Sequence, residues 1–212
     1  MIEPATSGGP EHYFSDEPTV ASERSTVRLT LPDFTTNLVT DRGVFSGRRV
    51  DPGTKLLLLE AGVAPDGAST MLDVGCGYGP IALTLAHRNP AAQVWAIDTN
   101  SRARDLCAKN AKQLGFDHVT TTAPADVPAD LRFDYICSNP PIRIGKGALH
   151  DLLTTWLSRL TATGVAHLVV QKHLGSDSLA TWLGRQGWPT TRVSSRAGYR
   201  ILECRPSTEQ PA

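Results

Sequence analysis

The chain has 212 residues, 40% of them apolar, with 21 Lys plus Arg set against 21 Asp plus Glu. That length suits one sizeable domain with a full core. A formal net charge of zero argues against a protein that holds nucleic acid by bulk charge, because neutralising phosphates takes an excess of Lys and Arg, but it leaves a local basic patch open.

Residues 1–11 and 206–212 are rich in Pro, Ser, Thr, Gly and Glu and are expected to be disordered tails around a single domain at 12–205. No signal peptide is expected from the polar start, and the longest apolar runs, 56–59 and 165–170, are too short to span a bilayer. Cys76, Cys107, Cys137 and Cys204 are far apart with no CxxC pair, which points to small core residues in a reducing, cytoplasmic setting and to no metal site. Residues 12–60 are expected to form an N-terminal extension, with strands at 27–31 and 34–39 around Pro32-Asp33 and a helix at 54–60 with Pro52 near its start.

Residues 61–205 alternate between short apolar runs and helical patterns. Strands are predicted at 71–74, 93–97, 119–122, 133–137 and 165–170, and helices at 81–87, 101–114, 148–160 and 179–185. The strongest period is Leu149, Leu152, Leu153, Trp156, Leu157 and Leu160 on one helical stripe. Such alternation means a parallel sheet covered on both faces. Two final strands, 192–194 and 200–204, are joined through Ser195-Arg196-Ala197-Gly198; this link is too short for a crossover, so the last strand should run antiparallel to its neighbour.

The segment Leu72-Asp73-Val74-Gly75-Cys76-Gly77-Tyr78-Gly79-Pro80 joins a predicted strand to a predicted helix. Glycines there let the backbone turn sharply and let a ligand approach without a Cβ in the way. Asp98 ends the next strand, where an acid can accept hydrogen bonds from ribose hydroxyls. The spacing is GxGxG followed by Pro80, not GxGxxG, and a proline there lacks the N–H that a pyrophosphate would use. The loop therefore favours a ribose-bearing cofactor without a pyrophosphate, a description that S-adenosylmethionine fits; a glycine turn without ligand, or a nicotinamide or flavin site, are the other readings.

Ser138-Asn139-Pro140-Pro141-Ile142 follows the strand at 133–137, at the sheet edge where open α/β folds bind ligands. The prolines remove two backbone donors, leaving mainly acceptors, the Asn139 side-chain oxygen and the Pro140 carbonyl. Two acceptors holding the hydrogens of a conjugated amine would favour its pyramidal form and aim its lone pair at an electrophilic methyl. A proline-stiffened turn with Asn139 as a local cap is the plainer reading.

With these motifs in place the chain resembles class I S-adenosylmethionine-dependent methyltransferases. More narrowly it is similar to the methyltransferase small-domain family that includes the 16S ribosomal RNA guanine-N2 methyltransferases. The resemblance runs from about His12 to Cys204. Besides the two motifs above it is carried by His12-Tyr13-Phe14-Ser15, Gly43-Val44-Phe45-Ser46, Asp51-Pro52-Gly53-Thr54, Asp98-Thr99-Asn100, Gln171-Lys172 and Gly198-Tyr199-Arg200. It implies a Rossmann-like, doubly wound α/β fold whose seven-stranded sheet ends in an antiparallel strand. It implies cofactor contacts from Asp73, Gly75, Cys76, Gly77, Gly79, Asp98, Thr99 and Asn139, with Asp126 as the acid that reads the adenine amino group unless Ala125 takes that place. It implies that Asn139, Pro140 and Pro141 are catalytic, with Ile142, Arg143 and Lys172 toward the substrate. Ile142 stands where the family commonly has an aromatic residue.

The expected function is N-methylation of a guanine amine in ribosomal RNA or the small ribosomal subunit, with no metal and no membrane. Methylation of a protein glutamine amide or a small amine is one alternative, and a non-catalytic module binding S-adenosylmethionine or RNA is another. Arg143, Lys146, Lys172 and Arg200 are candidates for an RNA-facing rim, Phe45 is read as a core aromatic in preference to a cover for the cofactor, and His150 and His173 are not needed as bases.

Overall fold

A computed structural model describes residues 20–207, so the 1–11 tail, the His12–Ser15 motif and residues 208–212 lie outside the described residues. The chain first forms an antiparallel hairpin, β1 (Ser25–Thr30) and β2 (Thr35–Thr40), closed by a bond from the Leu31 N–H to the Phe34 carbonyl. Helix α1 (Pro52–Glu60) begins at Asp51, whose carboxylate accepts from the Thr54 N–H at 3.0 Å, with proline at its first position.

Strand and helix then alternate through β3 (Thr70–Val74), α2 (Pro80–Arg88), β4 (Gln93–Ile97), α3 (Ser101–Leu114), β5 (Val119–Thr122), β6 (Phe133–Ser138), α4 (Lys146–Leu157), β7 (Leu160–Gln171) and α5 (Ser176–Arg185). Strands β8 (Thr190–Arg196) and β9 (Tyr199–Cys204) complete the sheet, in the order β5-β4-β3-β6-β7-β9-β8. Neighbours from β5 to β7 are parallel, while β9 runs antiparallel to both β7 and β8. The short final link is a two-residue turn with Ala197 at φ 51° and Gly198 at φ 82°, the paired left-handed conformation that a tight hairpin needs.

Because side chains alternate across a strand, each sheet face has its own core. Met71, Val94, Tyr135, Val169 and Ile201 face α1, α2, α3 and the N-terminal hairpin, whereas Leu72, Ile136, Leu168 and Leu202 face α4 and α5. The sheet runs outward from β3 through β4 and β5 on one side and through β6 and β7 on the other. The gap between the carboxyl ends of β3 and β6 is therefore the topological switch point, where a ligand crevice forms in such sheets.

Differences from the sequence reading lie at element ends. Helix α4 begins at Lys146 and stops at Leu157, and Leu160 opens β7 opposite Phe133, so the helix predicted at 148–160 runs three residues too far and takes in one stripe residue that belongs to the sheet. Strand β7 also extends before its apolar stretch, through a register shift between the Phe133–Leu160 and Tyr135–Val165 pairs; within it lies Gly164, where a Cβ would come within 2.9 Å of the Phe133 carbonyl oxygen. Edge strand β8 is longer than its apolar residues suggest because most of its side chains are exposed or half-exposed. At the C-terminus Ser207 still donates its N–H to the Gly187 carbonyl, so the ordered chain continues past 205.

Gly79 precedes α2 at φ 99°, and a Cβ there would lie 2.8 Å from Cys107 Sγ and 3.0 Å from Leu83. Gly79→Ala should lower stability by about 1–3 kcal/mol, measured by urea denaturation; an unchanged midpoint and slope would refute this packing account.

Candidate active site

A cavity of about 520 Å³ opens at the switch point, walled by the ends of β3, β4 and β6, the 43–46 segment and part of α4. Gly75 (φ 78°) lines this cavity and a small recess beside it, and Gly77 (φ 55°) lines the recess. A Cβ on Gly75 would meet nothing within 4 Å, and one on Gly77 only Val44 at 3.9 Å, so these glycines leave bare backbone toward open space. Gly79 differs: it packs inward on α3 and lines neither space.

The glycine loop is held from β4. The N–H groups of Gly75 and Cys76 donate to the Ile97 carbonyl, and those of Gly77 and Asn100 donate to the two Asp98 carboxylate oxygens, all at 2.9 Å. Asp98 and Thr99 also line the cavity. Burial raises the Asp98 pKa, while the Asn100 and Gly77 N–H bonds pull it back down.

Asp73 lies fully buried below the loop, accepting from the Ala82 N–H at 2.9 Å; its other oxygen has no hydrogen-bond partner. Cys76 is buried too, and its pKa is raised by its hydrogen bond with Cys107 and by burial, which makes it a neutral packing thiol and not a nucleophile.

On the β6 side, the Asn139 side-chain nitrogen donates to Asp51 Oδ1 at 2.9 Å and to Thr54 Oγ1 at 3.0 Å. Both of its hydrogens are thereby committed to the start of α1, and Oδ1 is left as the free acceptor. Asn139, Pro140, Pro141, Ile142 and Arg143 all line the cavity. Sequence reasoning found the start of α1 but missed its link to Asn139; the local pattern, an acid before proline with a hydroxyl three residues on, marks only the helix start. Trp156, expected on the apolar stripe of a helix, is 3% exposed and with Leu152 also makes an apolar wall of the cavity.

Several expected placements change. Asp126 sits exposed in the 3-10 turn Pro124–Asp126, which presents Pro124 to the cavity instead. Lys172 is exposed but does not line the cavity, whereas the preceding Gln171 does. Arg200 is buried and ion-paired with Asp177 of α5, because strand alternation turns it away from Tyr199 and onto the α5 face, so it is not part of an exposed rim. Phe45 is not in the core: it is 53% exposed at the cavity mouth. Its segment lacks regular structure and is held across the opening by bonds from Asn100 Nδ2 to the Gly43 carbonyl and from Arg102 to the Arg42 carbonyl.

The methyltransferase small-domain family model matches residues 35–203. The chain belongs to this family. As a methyltransferase it uses S-adenosylmethionine as methyl donor, and this structure fits that group through the open glycine backbone, the cavity-lining Asp98 and the apolar wall. The enzyme is 36% identical over 200 residues to Bacillus subtilis YbxB, covering 92% of this chain and 98% of that one. It is 33% identical to ribosomal RNA small subunit methyltransferase C of Shewanella halifaxensis, over 67% of this chain and 42% of that relative's length. A Thermus thermophilus 16S rRNA N2 G1207 methyltransferase, solved with AdoMet and guanosine, has the same fold: TM-score 0.69 and 23% identity, over 89% of this chain and 52% of that one. Among the described residues no helix is long and apolar enough to cross a membrane.

Burial pushes the Asp73 carboxyl up to about 8, with the Ala82 N–H opposing and the Asp98 charge adding to the rise. Between about pH 4 and about pH 8 the folded state keeps a proton that the unfolded chain releases, so stability falls as pH rises across this window. Replacing Asp73 by Asn removes that slope. Denaturant titrations should show the Asp73→Asn variant gaining on the parent protein as pH rises, and a constant difference would refute a raised Asp73 pKa.

Proposed function

We propose that the enzyme methylates the exocyclic N2 amine of a guanine in ribosomal RNA. The observation that carries this reading is the tied Asn139 amide, which leaves one acceptor fixed beside a loop stripped of donors by Pro140 and Pro141. Asn139 Oδ1 and the Pro140 carbonyl accept the two amine hydrogens. That grip draws the nitrogen lone pair out of conjugation and directs it at the methyl carbon. No strong base is required, since the cationic product loses its proton readily.

When bound, S-adenosylmethionine supplies an electrophilic methyl on a sulfonium. Gly75 and Gly77 would give its methionine part room, Asp98 would accept from the ribose hydroxyls, and Thr99, Pro124, Leu152 and Trp156 would enclose the adenine. Ribosomal RNA methyltransferases among the relatives support the substrate class. Zero net charge and Ile142 after Pro141 favour a second reading, methylation of a protein glutamine amide or a small amine.

Labelled methyl transfer offered to stripped small ribosomal subunits, total protein and metabolite pools separates these readings. Label in guanine N2 supports the proposal, label in protein or metabolites replaces the substrate, and no label anywhere points to a non-catalytic module. Asn139→Ala should lose transfer by about 100-fold or more, with S-adenosylmethionine affinity within a few-fold. Thr54→Val, which frees one Asn139 hydrogen, should cost about 10-fold. Full turnover by Asn139→Ala would overturn the amine grip.

A further inference from the structure

We propose that Phe45 is the stacking platform on which the target base lies, in the role that the residue after Pro141 does not fill. This rests on the nucleobase reading above and extends it to a second wall of the same site.

Ile142 packs partly into the core below α4 and carries no flat face. Tyr199 is half-buried, packed against Gly53 and bonded through its hydroxyl to Gln171, and Trp156 is buried. Phe45 alone is an exposed aromatic residue among the described residues. It lines both the main cavity and the small recess, as do Asn139 and Gly75, so the ring shares both spaces with the amine grip and the glycine loop. The ring is not loosely placed. Asn100 and Arg102 hold its segment at Gly43 and Arg42, and Ser46 follows at φ 56° with its hydroxyl on the Arg49 carbonyl. An ordered, unpacked ring beside a hydrogen-bonding site is suited to a flat apolar ligand face, and unstacked bases are commonly bound in this way.

The charges nearby favour a nucleotide strand over a peptide. Arg48 and Arg49 follow the Phe45 segment, Arg143 lines the cavity, and Lys172 adjoins the lining residue Gln171. None of these has an acidic partner among the described residues. Phosphates flanking a base in the cavity would meet Arg143 and these neighbouring cations, on a chain whose net charge is zero.

Two measurements on the full chain test the proposal. In transfer to ribosomal RNA, Phe45→Tyr and Phe45→Trp should stay within about threefold of the parent kcat/KM, while Phe45→Leu falls about 10-fold. S-adenosylmethionine affinity should be unchanged in all three. In parallel, a short single-stranded RNA carrying 2-aminopurine should be quenched on binding the parent and the Phe45→Trp variant but not Phe45→Leu. Equal activity and quenching with leucine would overturn the platform, as would matching losses of cofactor affinity. If the parent quenches the probe but methylates no RNA, the guanine reading fails and the platform stands; if it methylates a protein amide and quenches nothing, both fail.

Discussion

The site depends on a pair of hydrogen bonds that join distant parts of the chain: Asn139 at the end of β6 donates to Asp51 and Thr54 at the start of α1. An amide left to rotate would present donor and acceptor to the cavity in turn. Held by two bonds, it presents only its oxygen. The same Asp51 carboxylate caps α1, worth about 1 kcal/mol in typical helices, so helix placement and amide orientation rest on one side chain. The N-terminal part of the chain is thus built into the site.

Parallel pairing explains why two segments so far apart in sequence meet. Register brings Asp73 of β3 opposite Cys137 of β6 and Val74 opposite Ile97 of β4, so the glycine loop, Asp98 and Asn139 all leave the sheet at one edge. A one-residue slip would reverse the face of every side chain on a strand and break both cores. The buried strands β3, β6 and β7 consequently fix the spacing of the site before any ligand arrives.

Most of the fold was legible because its elements carry clear local signals. Strand β4 and helix α3 match the predicted bounds, since Gln93 and Ser101 follow turn or capping residues and Gly115 ends α3 in the left-handed conformation. What was not legible came from tertiary choices. Leu160 satisfies the helical period but is taken by pairing with Phe133. Phe45 is an apolar aromatic of the kind found in cores, and only the path of the loop leaves it 53% exposed, forgoing about half of the roughly 1.5–3 kcal/mol that full burial gives. Arg200 looks like a surface cation until strand alternation turns it under α5. The motifs were visible in sequence, while the Asp51 and Thr54 bonds that orient Asn139 were not, because no local pattern links residues more than eighty positions apart.

A second buried amide has a wider consequence. Asn110 of α3 accepts from the Val39 N–H and donates to the carbonyls of Val39 and Tyr78, each at 2.9 Å. One side chain therefore stitches the edge of the hairpin and the glycine loop to the same helix. If the hairpin opens, Asn110 loses two of its three partners in a buried setting where unsatisfied groups are costly, and the loop loses part of its support. The hairpin and the glycine loop thus belong to one cooperative unit. Local unfolding at the outer edge of the protein reaches the cofactor side of the cavity without passing through the sheet.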